Sequence, residues 1–346
     1  MLKKIKKKLP IRRDGPYDME AQCSSPVIDH ALYSNLTSHP AGKISKLIEA
    51  GLDLVIVDFD KTITTCDSHT PWTIFDTSSF SSKETKTKMA ELYAKHCPIE
   101  ISEKYAKSEK EHNALEWYEK TFEALSLEIP NTTEMLRAFE YIDHNVEGTE
   151  TSESVENAEK KIRIAFKNGF IRMLQILRTN DIPCLIYSAG IGDFIVHMLK
   201  KYDTNMFGAF VVSNFRTFKK DAKPESTFCD MMRDEGEPIV YPFADKPATG
   251  WTSPYVHCSN KNMQTLKTWI KNNESKIKIP HNILETIERS KNIILIGDVL
   301  SDSHMSDGLN EDANIIKICF HERMFNAYKR SISSLNEFHE KTSHDF

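Results

Sequence analysis

The 346-residue chain predicts an α/β fold built on a parallel sheet, with a helical domain inserted after the first strand. Three observations carry this expectation. Residues 54–57 form a short, β-branched-rich run that stops at Asp58 and Asp60, as a buried parallel strand does. Four more apolar runs follow downstream, with helical patterns between them. The stretch from Cys66 to Phe166, between the first and second runs, carries helical periodicity.

Residues 1–13 are a dense basic run, and residues 1–41 read as a disordered basic arm. A helix over 43–50 feeds the first strand. Met89, Leu92 and Tyr93 fall at helical spacing within 83–95, and further amphipathic helices are expected over 115–125 and 133–142. Residues 147–154 are polar and acidic and read as a surface loop. A helix over 158–177 then leads into a second strand at 182–187, which runs into Ser188-Ala189-Gly190 and a helix over 194–200. The third strand is expected at 209–215. Residues 219–257, irregular and Pro-rich, read as an insertion. The fourth strand, 292–298, ends in Asp298, and the fifth spans 314–320. This order divides the chain into a core (42–66 with 167–346) and a helical cap (67–166) over the strands' carboxyl ends.

A net charge of −5 argues against a general nucleic-acid binder. Seven scattered cysteines, odd in number and without a C-x-x-C, fit free thiols in a reducing, cytoplasmic setting. No apolar run is long enough to span a bilayer, and the basic start is not followed by the apolar core of a signal peptide. A monomer is expected.

The chemistry is expected at strand ends, where open parallel sheets bind ligands. In extended backbone, Asp58 and Asp60 point to one side, and their repulsion is relieved by a hard divalent cation such as Mg²⁺. Asp298 adds a third carboxylate, and Asp302, one turn later, is placed to orient a lysine or a metal-bound water. The Ser188 hydroxyl, with the N–H groups of Ala189 and Gly190, is suited to hold phosphate oxygens at a helix N-terminus. Taken singly, each feature also reads as an ordinary capped turn. Lys261 stands out only because clustered carboxylates and a phosphate dianion need a fixed cation beyond the metal.

The order Asp58-x-Asp60-x-Thr62, strand-end Ser188, Lys261, then Gly297-Asp298-x-x-x-Asp302 resembles the haloacid dehalogenase superfamily, whose members share a Rossmannoid sheet and are mostly Mg²⁺-dependent phosphatases. Three core segments look like the cytosolic pyrimidine 5′-nucleotidase family, which includes enzymes selective for 7-methylguanosine monophosphate. These are Ile182-Pro183 through Gly192-Asp193, Val211 to Phe215, and Asn292 to Asp298 with Met305-Ser306-Asp307-Gly308. The segments Pro98-Ile99-Glu100-Ile101 and Glu116-Trp117-Tyr118 resemble that family's cap. The resemblance implies a 5′-nucleotidase acting on nucleoside monophosphates such as CMP, UMP or 7-methyl-GMP through an aspartyl-phosphate. It makes Asp58 the nucleophile and Asp60 the acid and base. Asp58, the Asp60 carbonyl and Asp298 would bind Mg²⁺, and Ser188, Ala189 and Lys261 the phosphate, supported by Thr62 and Asp302. Glu100 and Thr121 fall where the family's cap meets the base. Ser301 departs from the family's usual glycine.

On the helix from Leu115, the residues Leu115, Tyr118, Phe122 and Leu125 are expected to form one apolar stripe, with Trp117 and Thr121 on the opposite side. Trp117 is then free to stack on a nucleobase or on a second cap helix. Two other readings stay open: a phosphatase for another small phosphomonoester such as phosphoserine, and a non-catalytic binding protein on the same scaffold.

Overall fold

A computed structural model describes residues 40–102, 104–143, 162–202, 208–219, 226–227, 245–277, 279–280 and 282–320. The chain divides into two units, Met1–Ser45 and Lys46–Phe346. Within the first, only residues 40–45 are described. The expected basic arm and the acidic 147–154 loop lie outside the described residues.

Helix α1 (Pro40–Ala50) precedes strand β1 (Leu54–Val57), all four residues of which are buried. Helices α2 (Thr73–Thr77), α3 (Lys83–Ile101), α4 (Lys107–Glu128) and α5 (Thr132–Glu140) follow. Short strands β2 (Ile142–Asp143) and β3 (Ile162–Arg163) pair in parallel. After them come α6 (Phe170–Thr179), β4 (Cys184–Ile191), α7 (Gly192–Tyr202), β5 (Ala209–Asn214) and β6 (Arg216–Phe218). Strands β7 (Ser226–Thr227) and β8 (Ala248–Trp251) flank β6 in an antiparallel three-stranded sheet. The chain continues through α8 (Met263–Asn273), α9 (Ile283–Arg289), β9 (Asn292–Gly297), a 3-10 turn at Leu300–Ser306 and β10 (Asn314–Cys319).

The main sheet is fully parallel, in the order β10-β9-β1-β4-β5. From β1 the chain builds outward to β4 and β5, then returns to the other side of β1 for β9 and β10. The direction reverses at β1, so the crevice beyond its carboxyl end is the expected ligand position. The expected α/β class with a parallel sheet is therefore the one observed.

Trp269 on α8 is fully buried against Phe210 and Phe215. Phe194 on α7 meets Phe75 of α2 and Phe139 of α5 edge-on, which joins the helices between β1 and β4 to the sheet layer. Such aromatic pairs each add about 0.5–1.5 kcal/mol beyond their buried area.

Four expectations are corrected. The helix begins at Phe170, not near 158: Ile162 and Ile164 are buried with Arg163 exposed between them, a period of two, and Gly169, at φ +85°, sets the helix start. The end of the 219–257 stretch is integral: β8 pairs with β6, and Trp251, Thr252 and Val256 are buried. The apolar stripe on α4 is broader than expected: Leu115 is 41% exposed and Thr121 only 4%. That helix packs on two sides, Trp117 against Tyr93 and His96 of α3 and Phe122 against Trp251 of β8. Finally, β4 runs on through Ser188–Ile191, with a register break against β5 between Tyr187 and Ile191, so Ser188 sits in a strand-end bulge before the helix.

Candidate active site

The β1 ladder delivers the first carboxylate: Asp58 N–H donates to Ile296 O at 2.9 Å, extending the pairing with β9 one residue past the strand. The chain then turns. Lys61 has φ +59° and its N–H donates to Thr64 Oγ1 at 2.8 Å. Lys167, just ahead of α6, donates its ammonium to the carbonyls of Lys61, Thr62 (3.2 Å) and Thr64 (2.8 Å). An ammonium offers three donors, so this turn is pinned from outside the sheet.

Asp58 and Lys261 are both 4% exposed, and Lys261 Nζ lies 2.5 Å from Asp58 Oδ1 and 2.9 Å from Asp302 Oδ1. Burial alone would lower the Lys261 pKa, but the two carboxylates outweigh it and hold the ammonium well above the ordinary lysine range. The other Asp302 oxygen accepts the N–H groups of Asp298 and Val299, each at 3.2 Å. The adjacent strand end must be glycine: a Cβ on Gly297 would collide with the Asp302 side chain. Thr62 Oγ1 donates to Asp298 Oδ1 at 3.4 Å. Asp60 approaches the end of β4, since a Cβ on Gly190 would sit 3.2 Å from both Asp60 Oδ2 and Ser188 Oγ.

Four carboxylates thus crowd one lysine. Burial, with repulsion from neighbouring aspartates only partly offset by Lys261, pushes Asp58 up to about 7 and Asp60 up to about 8. Burial and Asp302 also raise Asp298. Asp60 Oδ1 is buried without a partner among the described residues. Carboxylate oxygens of Asp58, Asp298 and Asp302 lie within 4.8 Å of one another. This excess of buried oxygen donors fits a hard divalent cation. Of these three, Asp302 has both oxygens engaged, by Lys261 and by two backbone donors, whereas Lys261 and Thr62 are bonded to only one oxygen of Asp58 and of Asp298.

A cavity of about 510 Å³ lies among the helices between β1 and β4. Glu100, Trp117 and Thr121, which the sequence singles out, all line it, together with Trp72, Asp76 and Tyr118. Trp117 is half-buried and nearly parallel to His96, with an interplanar angle of 12°. Thr121 Oγ1 is buried with no partner among the described residues. Burial raises the Glu100 carboxyl, with Lys110 and Lys261 opposing, so Lys261 is felt at the cavity wall. Tyr118 Oη donates to Ala189 O at 3.3 Å and links the cavity to the bulge after β4. Sequence reasoning assigns Tyr118 to the apolar stripe. Its hydroxyl is the signal that one end needs a polar partner.

Every strand-end residue singled out in the sequence therefore converges on one crevice or its rim. The sequence reading missed Asp76, Trp72 and Tyr118 in the cavity wall, Lys167 behind the turn, and Asn214, which is buried under Ala189.

A parallel sheet with four carboxylates and a lysine at its strand ends suits metal-assisted chemistry on an anionic substrate. The model of the pyrimidine 5′-nucleotidase (UMPH-1) family matches residues 59–232 and 248–334. The chain belongs to this family of 5′-nucleotidases, which are phosphoric monoester hydrolases. It is 25% identical over 285 residues to the Xenopus laevis 7-methylguanosine phosphate-specific 5′-nucleotidase A, covering 80% of this chain and 79% of that protein. The Homo sapiens 7-methylguanosine phosphate-specific 5′-nucleotidase is 23% identical over 273 residues, covering 77% of this chain and 72% of that protein. A crystal structure of cytosolic 5′-nucleotidase IIIB bound to cytidine shares the fold, with a TM-score of 0.53 at 20% identity over 89% of this chain and 90% of that one.

Proposed function

We propose that the protein is a Mg²⁺-dependent 5′-nucleotidase that hydrolyses nucleoside 5′-monophosphates to nucleoside and phosphate. The observation that carries the reading is the buried cluster of Asp58, Asp60, Asp298 and Asp302 around Lys261, beside an aromatic-walled cavity whose Tyr118 bonds Ala189 and whose Glu100 senses Lys261. In this reading residues 67–166 are a cap that holds the base, and the rest of the folded chain is the phosphatase core.

Asp58 is the nucleophile. Its carboxylate attacks phosphorus, the P–O bond to the 5′ oxygen breaks, and Asp60 gives that oxygen a proton. A carboxyl near 8 keeps its proton at neutral pH, as an acid must. Ionised Asp60 then takes a proton from water, which hydrolyses the aspartyl-phosphate and frees Asp58. Ser188, the Ala189 backbone and Lys261 hold the phosphate oxygens, Asp302 fixes Lys261, and Thr62 fixes Asp298. Asp58, Asp298 and the Asp60 carbonyl would hold Mg²⁺, which supplies charge compensation for the phosphoryl group when bound.

Glu100, Trp117 and Thr121 contact the base. Asp76 and Glu100 outnumber Lys86 on the wall of an aromatic cavity, an arrangement that suits a cationic ring such as 7-methylguanine through cation–π and charge attraction. The same relatives, named for 7-methylguanosine phosphate, support that preference over CMP and UMP. The five described cysteines are unpaired, in keeping with a cytosolic location.

The test is phosphate release by purified protein with Mg²⁺ across CMP, UMP, AMP, GMP, 7-methyl-GMP and phosphoserine. Turnover confined to phosphoserine, or none with any nucleotide, would refute the proposal.

A further inference from the structure

The two segments assigned above to the phosphate are distant in sequence, Ser188–Gly190 after β4 and the run that leads into Lys261. They meet at one side chain. Asn214, the last residue of β5, is fully buried. Its Nδ2 donates to Ala189 O at 3.0 Å, Gly190 O at 3.1 Å and Val256 O at 2.8 Å. Its Oδ1 accepts the Val256 N–H at 2.8 Å. Both ends of the amide are thus used, and each bond ties one segment to the other through a single planar group.

The bonds also set which way the peptides face. In a planar trans peptide, C=O and the following N–H point in opposite directions. With the Ala189 carbonyl drawn to Asn214, the Gly190 N–H faces away from it and donates to Ser188 Oγ at 3.0 Å. Asp60 Oδ2 lies on that same side, since a Cβ on Gly190 would be equally close to it and to Ser188 Oγ. Ser213 Oγ adds a donor to Gly190 O at 2.8 Å, and Tyr118 Oη one to Ala189 O at 3.3 Å. The break in the β4–β5 register falls at this point, so the bulge is held by side chains where the backbone ladder fails.

We propose that Asn214 is a positioning residue that fixes the spacing between the two phosphate-holding segments, so that the Ser188 hydroxyl and the Lys261 ammonium serve one phosphate. The inference rests on the nucleotidase reading. Asn214 touches no substrate atom, and its effect is exerted through the peptides it orients.

Asn214→Asp keeps the shape but turns a donor into an oxygen facing three carbonyls. Binding of inorganic phosphate, measured by calorimetry with Mg²⁺ and independently of turnover, is expected to weaken at least about tenfold. Binding of the unphosphorylated nucleoside is expected to stay within about twofold, because the amide meets the cavity wall only through Ala189 O, which Tyr118 also bonds. A merely structural role would weaken both alike. Equal losses, or phosphate binding unchanged in a folded Asn214→Asp protein, would overturn the inference. If that variant does not fold, Ser213→Ala decides. It removes one bond to the same bulge and should weaken phosphate binding about threefold without affecting nucleoside; unchanged phosphate binding overturns the proposal. A wild-type protein that binds phosphate but turns over no nucleotide counts against the nucleotidase reading and leaves the role of Asn214 decided by the same two variants.

Discussion

Asp60→Asn is expected to make the protein a poorer catalyst and a more stable fold at once. The substitution keeps the shape of the side chain and removes its acidic proton. General acid and base help is worth ~10²–10⁴ in rate, so kcat for a nucleoside monophosphate should fall by that factor, a barrier increase of about 3–5 kcal/mol. Stability moves the other way. Burial and the Asp58 charge raise the folded Asp60 carboxyl to about 8, against about 3.9 in an unfolded chain. The folded protein therefore holds a proton that the unfolded chain has released. Stability is lost as pH rises from about 4 to about 8, then levels off. At pH 7 the wild-type carboxyl opposes folding by about 4 kcal/mol as an upper bound. An asparagine retains part of the cost of burying a polar group, so we expect a net gain of about 2–3 kcal/mol. The assays are phosphate release at pH 7 with Mg²⁺, and thermal unfolding in a chelator at pH 5.5, 7 and 8. A kcat within fivefold of wild type, or a metal-free variant that unfolds at lower temperature than wild type at pH 7, would refute the reasoning.

Mg²⁺ should raise the unfolding temperature more at pH 8 than at pH 5.5, because Asp58 and Asp298 must ionise to receive it and burial raises both, Asp58 to about 7; an increment independent of pH would count against an ion at these carboxylates. Trp117→Ala should raise KM for the nucleotide ~5–150-fold, the equivalent of about 1–3 kcal/mol of base stacking, and steady-state kinetics would expose an unchanged KM. Arg216 is 5% exposed and its guanidinium reaches Ser126 Oγ, Ile129 O and Gly250 O, holding the end of α4 against β8. Arg216→Met should destabilise the fold by about 3–5 kcal/mol, since those acceptors and the nearby Asp193 lose their buried cation; an unchanged thermal midpoint would contradict this.

How far the chain could be read from its letters varies with the range of the forces involved. The end of β1 was legible because the change from Val57 to Asp58 is local and abrupt. Trp117, Glu100 and Thr121 line one cavity, as their grouping in the sequence reading implies, but the apolar stripe on α4 was too narrow. Helical periodicity reveals one buried face, and this helix is covered from two directions by α3 and by β8. The pairing of Lys261 with Asp58 spans 203 positions and leaves no local pattern; only the need of clustered carboxylates for a cation, with the family resemblance, pointed to it. The bulge at Ser188 was read as a plain helix start because its shape is imposed by Asn214 and Ser213, on another strand. The strand at Ile162–Arg163 was lost for a similar reason: two residues are too few to reveal alternation until β2 lies beside them.

The placement of β1 between β4 and β9 has a bearing on synthesis. A polypeptide emerging from the ribosome offers Asp58 and Asp60 early, yet the wall bearing Asp298 and Asp302 is among the last parts of the sheet to appear. Until β9 slots in beside β1, the nascent molecule presents an open strand edge, and Asp58 and Asp60 stand without the wall that carries Asp298 and Asp302. Assembly of the four-carboxylate cluster and closure of the sheet therefore arrive together, and a product interrupted before residue 292 would lack two of its aspartates and be prone to aggregate.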